Sequence, residues 1–412
     1  MGVGRACRPL LSEHILHFSW PTRQPDAGDA QQAPDEGSAA ELDAQRGGVA
    51  VVRLETMGQP LKPLLETAGG MRTVDPMANG AWLDLCERAP ESTIFHHPAW
   101  LRLIHEHYGF PLSAWCLMSP DGRLSAGIPV SLLRSRITGS RLIALPFSDS
   151  CEPLFDPSAG VESARVAQGV ADACEQLQLP LEVRGALPGA AEATVVERYV
   201  QHRLALQPDV ERVVEGFTKT HVMRGVAKAR REGVTIEHNV GRDGLARFFR
   251  LHTATRRRQG VPTQPRRFIL GFSELFDAGL GFVLLARHQE RDIAAAVFLA
   301  AGTTLTYKFG ASDRRFLSLR PNNLLFMEAI RWGCEHQQRQ LDFGRSDRDN
   351  TGLRAFKSSW GATESPLQFS YFGGYDLGLG RGSTRRLMGT VIKHSPAAFG
   401  RLVGNALYQH FG

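Results

Sequence analysis

The residues whose types and spacing could do chemistry are concentrated between Tyr307 and Gly361. An apolar segment ends there at Ser312, a basic loop runs from Asp313 to Arg320, and Pro321 opens a predicted helix. Backbone N–H groups at a helix start lack intrahelical partners and attract phosphate groups. The order therefore predicts an anion site, with a solvated surface loop as the alternative. The candidate ligands of this anion are Arg314, Arg315, Arg320, Asn322 and Asn323.

Two predicted strands end beside this loop, at Tyr307-Lys308 and at Asp342. If the strands lie side by side, Gly310 and Gly344 let them separate, and the N–H groups exposed there could polarise an ester or thioester carbonyl. Asp342 is the candidate base for an amine nucleophile, and Tyr307 is the candidate proton donor to the leaving group. The alternatives are an ion pair of Asp342 with a neighbouring cation and a core position for Tyr307.

Further basic residues are predicted to hold an anionic substrate. Lys357 lies between Phe356 and Trp360, which favours a semi-enclosed contact with a phosphate or carboxylate. The basic segment 219–231 is predicted to bind an anionic acceptor. A solvated cation is the alternative for each of these positions. The candidate substrate contacts are Lys219, Arg224, Lys308, Arg345 and Lys357.

The positive charge of the chain is concentrated in one region. The 412 residues carry a formal net charge of +6, whereas Thr218–Arg267 alone contains thirteen Lys or Arg and three acidic residues. This region predicts an anionic partner: a co-substrate phosphate, a nucleotide-linked acceptor, nucleic acid or a lipid headgroup. The six cysteines form no CxxC pair, and the histidines have no ligand spacing, so no metal is predicted.

The positions of these motifs predict four segments. Residues 1–68 are predicted to be a mostly disordered leader, because few large apolar residues accompany many acids. Residues 69–208 and 209–375 are predicted to be two α+β domains with mostly antiparallel sheets, since both show the order strand, two helices, three strands, helix, strand. Residues 376–412 form a basic tail, predicted to be a helical pair packed on the core or a peripheral contact with an anionic membrane.

These motifs resemble the FemAB-like branch of the GNAT acyltransferase superfamily. The resemblance covers roughly residues 71–372. It implies two tandem GNAT-like domains and N-acyl transfer, in which an amine attacks an activated acyl carbonyl without a metal. The matching segments are Ile94–Trp100, Gly127–Val130, Leu145–Asp149, Tyr307–Asp313, Leu319–Leu325, Asp342–Ser346 and Gly352–Gly361.

The resemblance leaves the acyl donor open. It implies acyl-CoA for some members of the branch and aminoacyl-tRNA for those that build peptidoglycan bridges. The long charged helical arm typical of bridge-building members is not evident in the sequence, so acyl-CoA is favoured. The resulting prediction is a cytoplasmic enzyme that acylates an amino group of a sugar- or peptide-linked anionic acceptor in cell-envelope or exopolysaccharide metabolism. The alternatives are an aminoacyl-tRNA-dependent transferase of the bridge type and a non-catalytic GNAT pair that binds an anionic polymer.

Overall fold

The structure is a computed structural model that describes residues 70–135, 139–374 and the single residues 400, 403, 404, 408 and 410. The predicted leader, 1–68, and most of the predicted tail, 376–412, lie outside the described residues. The predicted boundary between the domains falls in the connection that follows residue 205. The exact division between the domains stays a prediction, and the two parts are called the first and second halves below.

Both halves contain the predicted order of strand, two helices, three strands, helix and strand, with further elements added in each half. The first half contains β1 (Arg72–Val74), α1 (Gly80–Arg88), α2 (Pro98–Tyr108), β2 (Leu112–Met118), β3 (Leu124–Ser135), β4 (Gly139–Ala144), β5 (Leu154–Phe155), α3 (Ser163–Leu177), β6 (Leu181–Val183) and β7 (Thr194–Ala205). The second half contains α4 (Val210–Glu215), α5 (Val222–Arg231), β8 (Thr235–Asn239), α6 (Arg242–Gln259), α7 (Arg266–Asp277), β9 (Gly281–His288), β10 (Arg291–Ala301), β11 (Thr304–Ser312), α8 (Pro321–Glu335), β12 (Gln340–Asp347), α9 (Thr351–Ser359) and β13 (Thr363–Phe372).

All of these strands belong to one mixed sheet of 13 strands. The order of its main path is β1-β2-β3-β4-β6-β13-β7-β12-β11-β10-β9-β8, and β5 pairs with β3. The pairs β4·β6 and β11·β12 are parallel, and the other pairs are antiparallel. Each parallel pair occupies the same place in its half, so the two halves are organised alike.

The last strand of each half is exchanged with the other half. β7 pairs with β12 of the second half, and β13 pairs with β6 of the first half. β7 and β13 also pair with each other, from Thr194↔Tyr371 to Arg203↔Thr363. The sequence had suggested a separate sheet in each domain. The exchange instead gives the inner strand of each half a partner, which leaves no open edge in the middle of the molecule.

The composition of residues 210–231 predicts one helix, and this prediction is wrong, because the chain breaks between α4 and α5. Phe217 is buried at the break and lies edge-on to Trp360, with ring centroids 5.3 Å apart. The Thr218 amide donates to the Ser359 carbonyl at 2.8 Å. A straight helix could not make these contacts, so packing against the end of α9 overrides helix propensity.

An apolar core joins the two halves. Trp100 on α2 lies edge-on to Phe268 and Phe272 on α7, with centroid distances of 6.2 and 5.8 Å. All three rings are fully buried. Burial of a Phe-sized side chain contributes about 1.5–3 kcal/mol to stability. Packing of α2 on α7 therefore fixes one half against the other and, with them, the side chains that both contribute to the site.

Candidate active site

The strands β11 and β12 separate at the centre of the second half. They pair in parallel from Thr304↔Gln340 to Thr306↔Asp342 and then diverge. The register of β12 against β7 shifts just after Asp342, and Gly344 has a φ of +69°, which glycine adopts without strain. The predicted side-by-side arrangement and separation of these strands are thus confirmed.

Asp342 shapes the turn at which β12 diverges. Its Oδ1 accepts a hydrogen bond from the Gly344 amide at 2.7 Å, and its Oδ2 accepts one from Gln201 Nε2 at 2.7 Å. The carboxylate is 3% exposed, and burial raises its pKa, although Arg203 opposes this shift. Both oxygens are therefore engaged, Oδ1 by the backbone of the turn and Oδ2 by the Gln201 side chain.

The divergent strands enclose a cavity of about 80 Å³, here called the junction cavity. Both halves supply its walls, because Asp149 reaches it from the loop after β4. The remaining walls come from α6, β11, β12 and α9. The lining residues are Asp149, His252, Arg256, Gln259, Tyr307, Lys308, Phe309, Gly310, Phe343, Gly344, Arg345, Leu353 and Lys357.

Lys308 connects the halves at this cavity. Its Nζ donates to the Phe147 carbonyl at 2.6 Å and lies 3.4 Å from Asp149 Oδ2. The ammonium also lies over the Phe95 and Trp100 rings, 4.8 and 5.5 Å from their centroids. Burial lowers the pKa of Lys308, and the Asp149 carboxylate works against that shift. The Phe309 ring lies 5.5 Å away as well, so the lysine is a buried cation held by one carbonyl, one carboxylate and three rings.

Lys357 holds the diverging strand from the other side. Its Nζ donates to the carbonyls of Gly344 and Arg345 at 2.7 and 3.2 Å. The side chain is 3% exposed, and burial lowers its pKa to about 8. An ammonium has three donors, so these two bonds leave one hydrogen for a group in the junction cavity.

Tyr307 and Arg345 complete the predicted residues at this cavity. The Tyr307 ring packs against Phe298 and Phe326, with centroids 5.6 and 4.9 Å apart, and burial raises the pKa of its hydroxyl. Arg345 Nε lies 3.8 Å from Asp149 Oδ1, and its guanidinium lies 4.8 Å from the Tyr199 centroid. The sequence offered an ion pair with a neighbouring cation as the alternative for Asp342. The ion pair of Arg345 is instead with Asp149.

A second cavity, of about 270 Å³, lies where α5, α9 and the start of α8 meet; it is called the anion cavity here. Three cations and no acidic residue line it. The start of α8 receives no hydrogen bond from a capping side chain. These features together favour a phosphate-bearing ligand. The lining residues are Thr220, His221, Arg224, Gly225, Lys228, Leu317, Arg320, Pro321, Asn322, Asn323, Ala355, Phe356 and Ser359.

Close packing sets the shape of the anion cavity. Gly225 on α5 lies against Asn323 on α8, and a Cβ on this glycine would be 2.6 Å from the Asn323 amide nitrogen. The Asn323 amide in turn donates to the His221 carbonyl at 3.4 Å. Arg320 precedes α8 in a left-handed conformation, φ +59° and ψ +40°. This conformation places Arg320 directly before the start of α8, and its side chain lines the anion cavity.

The predicted residues divide into four groups. Arg224, Arg320, Asn322 and Asn323 line the anion cavity, and Tyr307, Lys308, Arg345 and Lys357 line the junction cavity. Asp342 lies behind the junction cavity, next to Gly344. Neither cavity is lined by Lys219, Arg314 or Arg315. Arg315 donates instead to Asp313 at 2.6 Å, and both it and Lys219 are exposed. Their roles as ligands stay predictions.

Several residues that line these cavities are absent from the candidate ligands above. Lys228 lies in the basic segment 219–231, one helical turn after Arg224, so the sequence indicates it only as part of that segment. Arg256 belongs to the basic run 256–258, which favours a substrate-facing loop in the sequence, whereas it lies in the last turn of α6. Asp149 had no local signal as a ligand, because its contacts are all with the distant second half.

The corresponding place in the first half is filled by its own chain. There, β4 and β6 pair up to Ala144↔Val183, and Cys151 then bridges to Arg184. The buried Arg184 also donates through Nη1 to the Ser148 carbonyl at 2.9 Å. Residues 148–151 therefore take the space that the junction cavity occupies in the second half.

Comparisons with known proteins agree with this arrangement. Residues 217–358 match the family model described as an acetyltransferase (GNAT) domain. The lipid II:glycine glycyltransferase of Staphylococcus haemolyticus (strain JCSC1435) is 31% identical over 97 residues, which are 21% of this chain and 23% of the relative. The Staphylococcus aureus protein of that name is 31% identical over 87 residues, 19% of this chain and 21% of the relative. The crystal structure of FemX aligns with a TM-score of 0.55 and 14% identity, covering 70% of this chain and 94% of FemX.

The chain resembles the FemAB-like branch, and its residues 217–358 match a GNAT domain. The predicted resemblance and the tandem GNAT-like α+β fold are therefore confirmed. The match with FemX concerns the fold, and the glycyltransferase matches span less than a quarter of each relative.

Two features are known for the described residues alone. Within them, no helix combines the length and the apolar character needed to cross a membrane. The same residues contain no group of three or more His, Cys, Asp or Glu side chains that could hold a metal ion.

Proposed function

We propose that the protein is an N-acyltransferase that modifies an amino group of a lipid-, sugar- or peptide-linked anionic acceptor of the cell envelope. The observation that carries the proposal is the separation of β11 from β12 beside two buried lysines, Lys308 and Lys357. A planar acyl group fits between separated strands. Positive charge placed there before reaction stabilises the oxyanion that forms when an amine attacks.

The chemistry requires no group beyond donor and acceptor. The amine nitrogen forms a bond to the carbonyl carbon while the carbonyl electron pair moves to oxygen. Collapse of this intermediate restores the carbonyl and breaks the bond to sulfur or oxygen of the donor. The amine gives its proton to the proposed base Asp342, the leaving group takes one from the proposed acid Tyr307, and exchange with solvent returns both residues to their starting states, so that the net transfer is from amine to leaving group. The third N–H of Lys357 is the donor we assign to the oxyanion, and Tyr307 is the proposed source of the leaving group's proton.

The proposed role of Asp342 as the base can be separated from its structural role. Asp342→Asn keeps one carbonyl oxygen for the Gly344 amide but loses the charge. If Asp342 only shapes the turn, the rate of acyl transfer should fall by less than about tenfold, whereas loss of a general base costs about 10²–10⁴-fold. Gln201→Leu is the matched control, since it removes the other hydrogen bond of the same carboxylate.

We propose that the anion cavity holds the phosphates of the donor through Arg224, Lys228 and Arg320. Acyl-CoA offers a pyrophosphate with this chemistry. Aminoacyl-tRNA offers the phosphodiesters next to its acylated end, and the likeness to proteins named lipid II:glycine glycyltransferases favours this second donor. Both donors present an acyl carbonyl to the same junction cavity.

Binding measurements distinguish the donors. Acetyl-CoA should raise the melting temperature if acyl-CoA is the donor, because a ligand of the native state stabilises it. Glycyl-tRNA should bind with an affinity that falls steeply with salt if tRNA is the donor, since phosphate contacts release counterions. The two proposed enzymatic functions would both be wrong if neither donor binds. Binding of an anionic polymer such as polyphosphate, without binding of either donor, would indicate the non-catalytic alternative.

A further inference from the structure

Tyr408 lies against the outer wall of the junction cavity. It is 6% exposed, and its ring lies edge-on to Phe147, with centroids 5.8 Å apart. Its hydroxyl accepts a hydrogen bond from Arg256 Nη2 at 2.9 Å and donates one to the Pro262 carbonyl at 2.9 Å. Arg256 lines the junction cavity. A residue near the C-terminus is thus one hydrogen bond away from the candidate site.

Backbone contacts hold the neighbourhood of Tyr408 in place. The Thr263 amide donates to the Gly400 carbonyl at 3.3 Å, and Gly404 is so close to Thr263 that a Cβ would overlap the Thr263 carbonyl. On the other side, Arg141 of the first half donates to the His410 carbonyl at 3.2 Å. These residues therefore contact both halves at their junction.

Two neutral groups, the Pro262 carbonyl and the Tyr408 hydroxyl, accept hydrogen bonds from the Arg256 guanidinium. The side chain is 4% exposed, its Nε donates to the Pro262 carbonyl at 3.2 Å, and its Nη2 donates to Tyr408. The Pro262 carbonyl accepts from both Arg256 and Tyr408, so the three groups form a closed triangle. Without the hydroxyl, the guanidinium would keep its Nε contact with Pro262 but lose the hydrogen bond of Nη2 to Tyr408.

We propose that Tyr408 is a positioning residue that orients Arg256 toward the negative charge formed in the junction cavity. This inference rests on the proposed acyl transfer, because that reaction supplies the charge. The proposal makes Tyr408 a part of the active site of the second half. Because the charge develops only during the reaction, misplacing Arg256 should lower kcat more than it changes KM.

Tyr408→Phe tests the hydrogen bond directly, since it keeps the ring that packs on Phe147. With isotopically labelled arginine, NMR should resolve slow rotation of the Arg256 guanidinium in the wild type and faster rotation in the variant; Arg256→Lys assigns the signal. Arg258, which donates to the Ser312 carbonyl at 3.1 Å from the same helix end, is the internal control. An unchanged Arg256 signal, or an equal change at Arg258, would overturn the proposal.

The kinetic readout uses release of the acyl group from whichever of acetyl-CoA and glycyl-tRNA the protein binds. A neutral-to-charged hydrogen bond of this kind predicts a loss in kcat of about tenfold for Tyr408→Phe, with KM within twofold. In an Arg256→Gln background, Tyr408→Phe should have no further effect. Additive losses would contradict action through Arg256. If neither donor binds, the proposed function fails, while the NMR result still decides whether Tyr408 orients Arg256.

Discussion

Replacing Arg320 by glycine should separate the fold from the anion cavity. The left-handed backbone at this residue costs a side chain other than glycine about 1–2 kcal/mol. Glycine adopts it freely but loses more chain entropy on folding, by about 0.5–1 kcal/mol. We therefore expect Arg320→Gly to leave the free energy of unfolding unchanged or to raise it by up to about 1.5 kcal/mol.

The same substitution removes one of the three cations of the anion cavity. A hydrogen bond to a charged group contributes about 1.5–3 kcal/mol, and 2 kcal/mol corresponds to about a 30-fold weaker Kd. At a ligand concentration about 100 times the wild-type Kd, stabilisation by the ligand should fall from about 2.7 to about 0.9 kcal/mol. The free energy of unfolding without ligand should thus stay unchanged or rise, whereas the additional stabilisation by the ligand should fall.

Titration calorimetry with inorganic pyrophosphate measures the Kd, and thermal unfolding with and without pyrophosphate measures both stabilities. Arg315→Gly is the control, because Arg315 lies in the 3-10 helix Arg314–Leu319 that ends next to Arg320, but it is bound to Asp313 and does not line the anion cavity. It should leave pyrophosphate binding unchanged. The reasoning would be refuted if Arg320→Gly bound pyrophosphate within threefold of the wild type, or if Arg315→Gly lost as much affinity.

Two further substitutions test packing and charge at the site. Gly225→Ala should force α5 away from Asn323, lowering stability by about 1–3 kcal/mol and weakening pyrophosphate binding in calorimetry; Gly216→Ala, at a negative φ and with only an ordinary contact at 3.5 Å, should do neither. Burial lowers the pKa of Lys357 from its usual value of 10.5 to about 8 in the folded protein. Between these pH values the unfolded chain binds more protons than the folded protein, so the free energy of unfolding should rise with pH there. Measured by denaturant unfolding, the wild type should gain about 3 kcal/mol relative to Lys357→Met from pH 8 to 10.5; a difference that stays constant or falls would contradict the buried, hydrogen-bonded lysine.

Local patterns predicted the part of the site that is local in the chain. The start of α8 at Pro321 and the basic residue before it lie where the sequence indicated. The predicted strand end at Asp342 is wrong, since β12 continues to Asp347, but the pairing of β11 with β12 does end at Asp342. The burial of Lys357 was not predictable, because its partners are backbone carbonyls of β12 that any sequence presents. Strand exchange was also hidden, since the composition of a strand does not specify the strand that pairs with it.

The exchanged strands explain why the second half depends on the first. β7, the last strand of the first half, carries Gln201, whose amide holds Asp342 from behind. The loop after β4 supplies Asp149 from the front, where it lies close to Lys308 and Arg345. The first half has filled its own splayed strands with residues 148–151, and the same loop that closes one site builds a wall of the other. The first half therefore supports the candidate site of the second half.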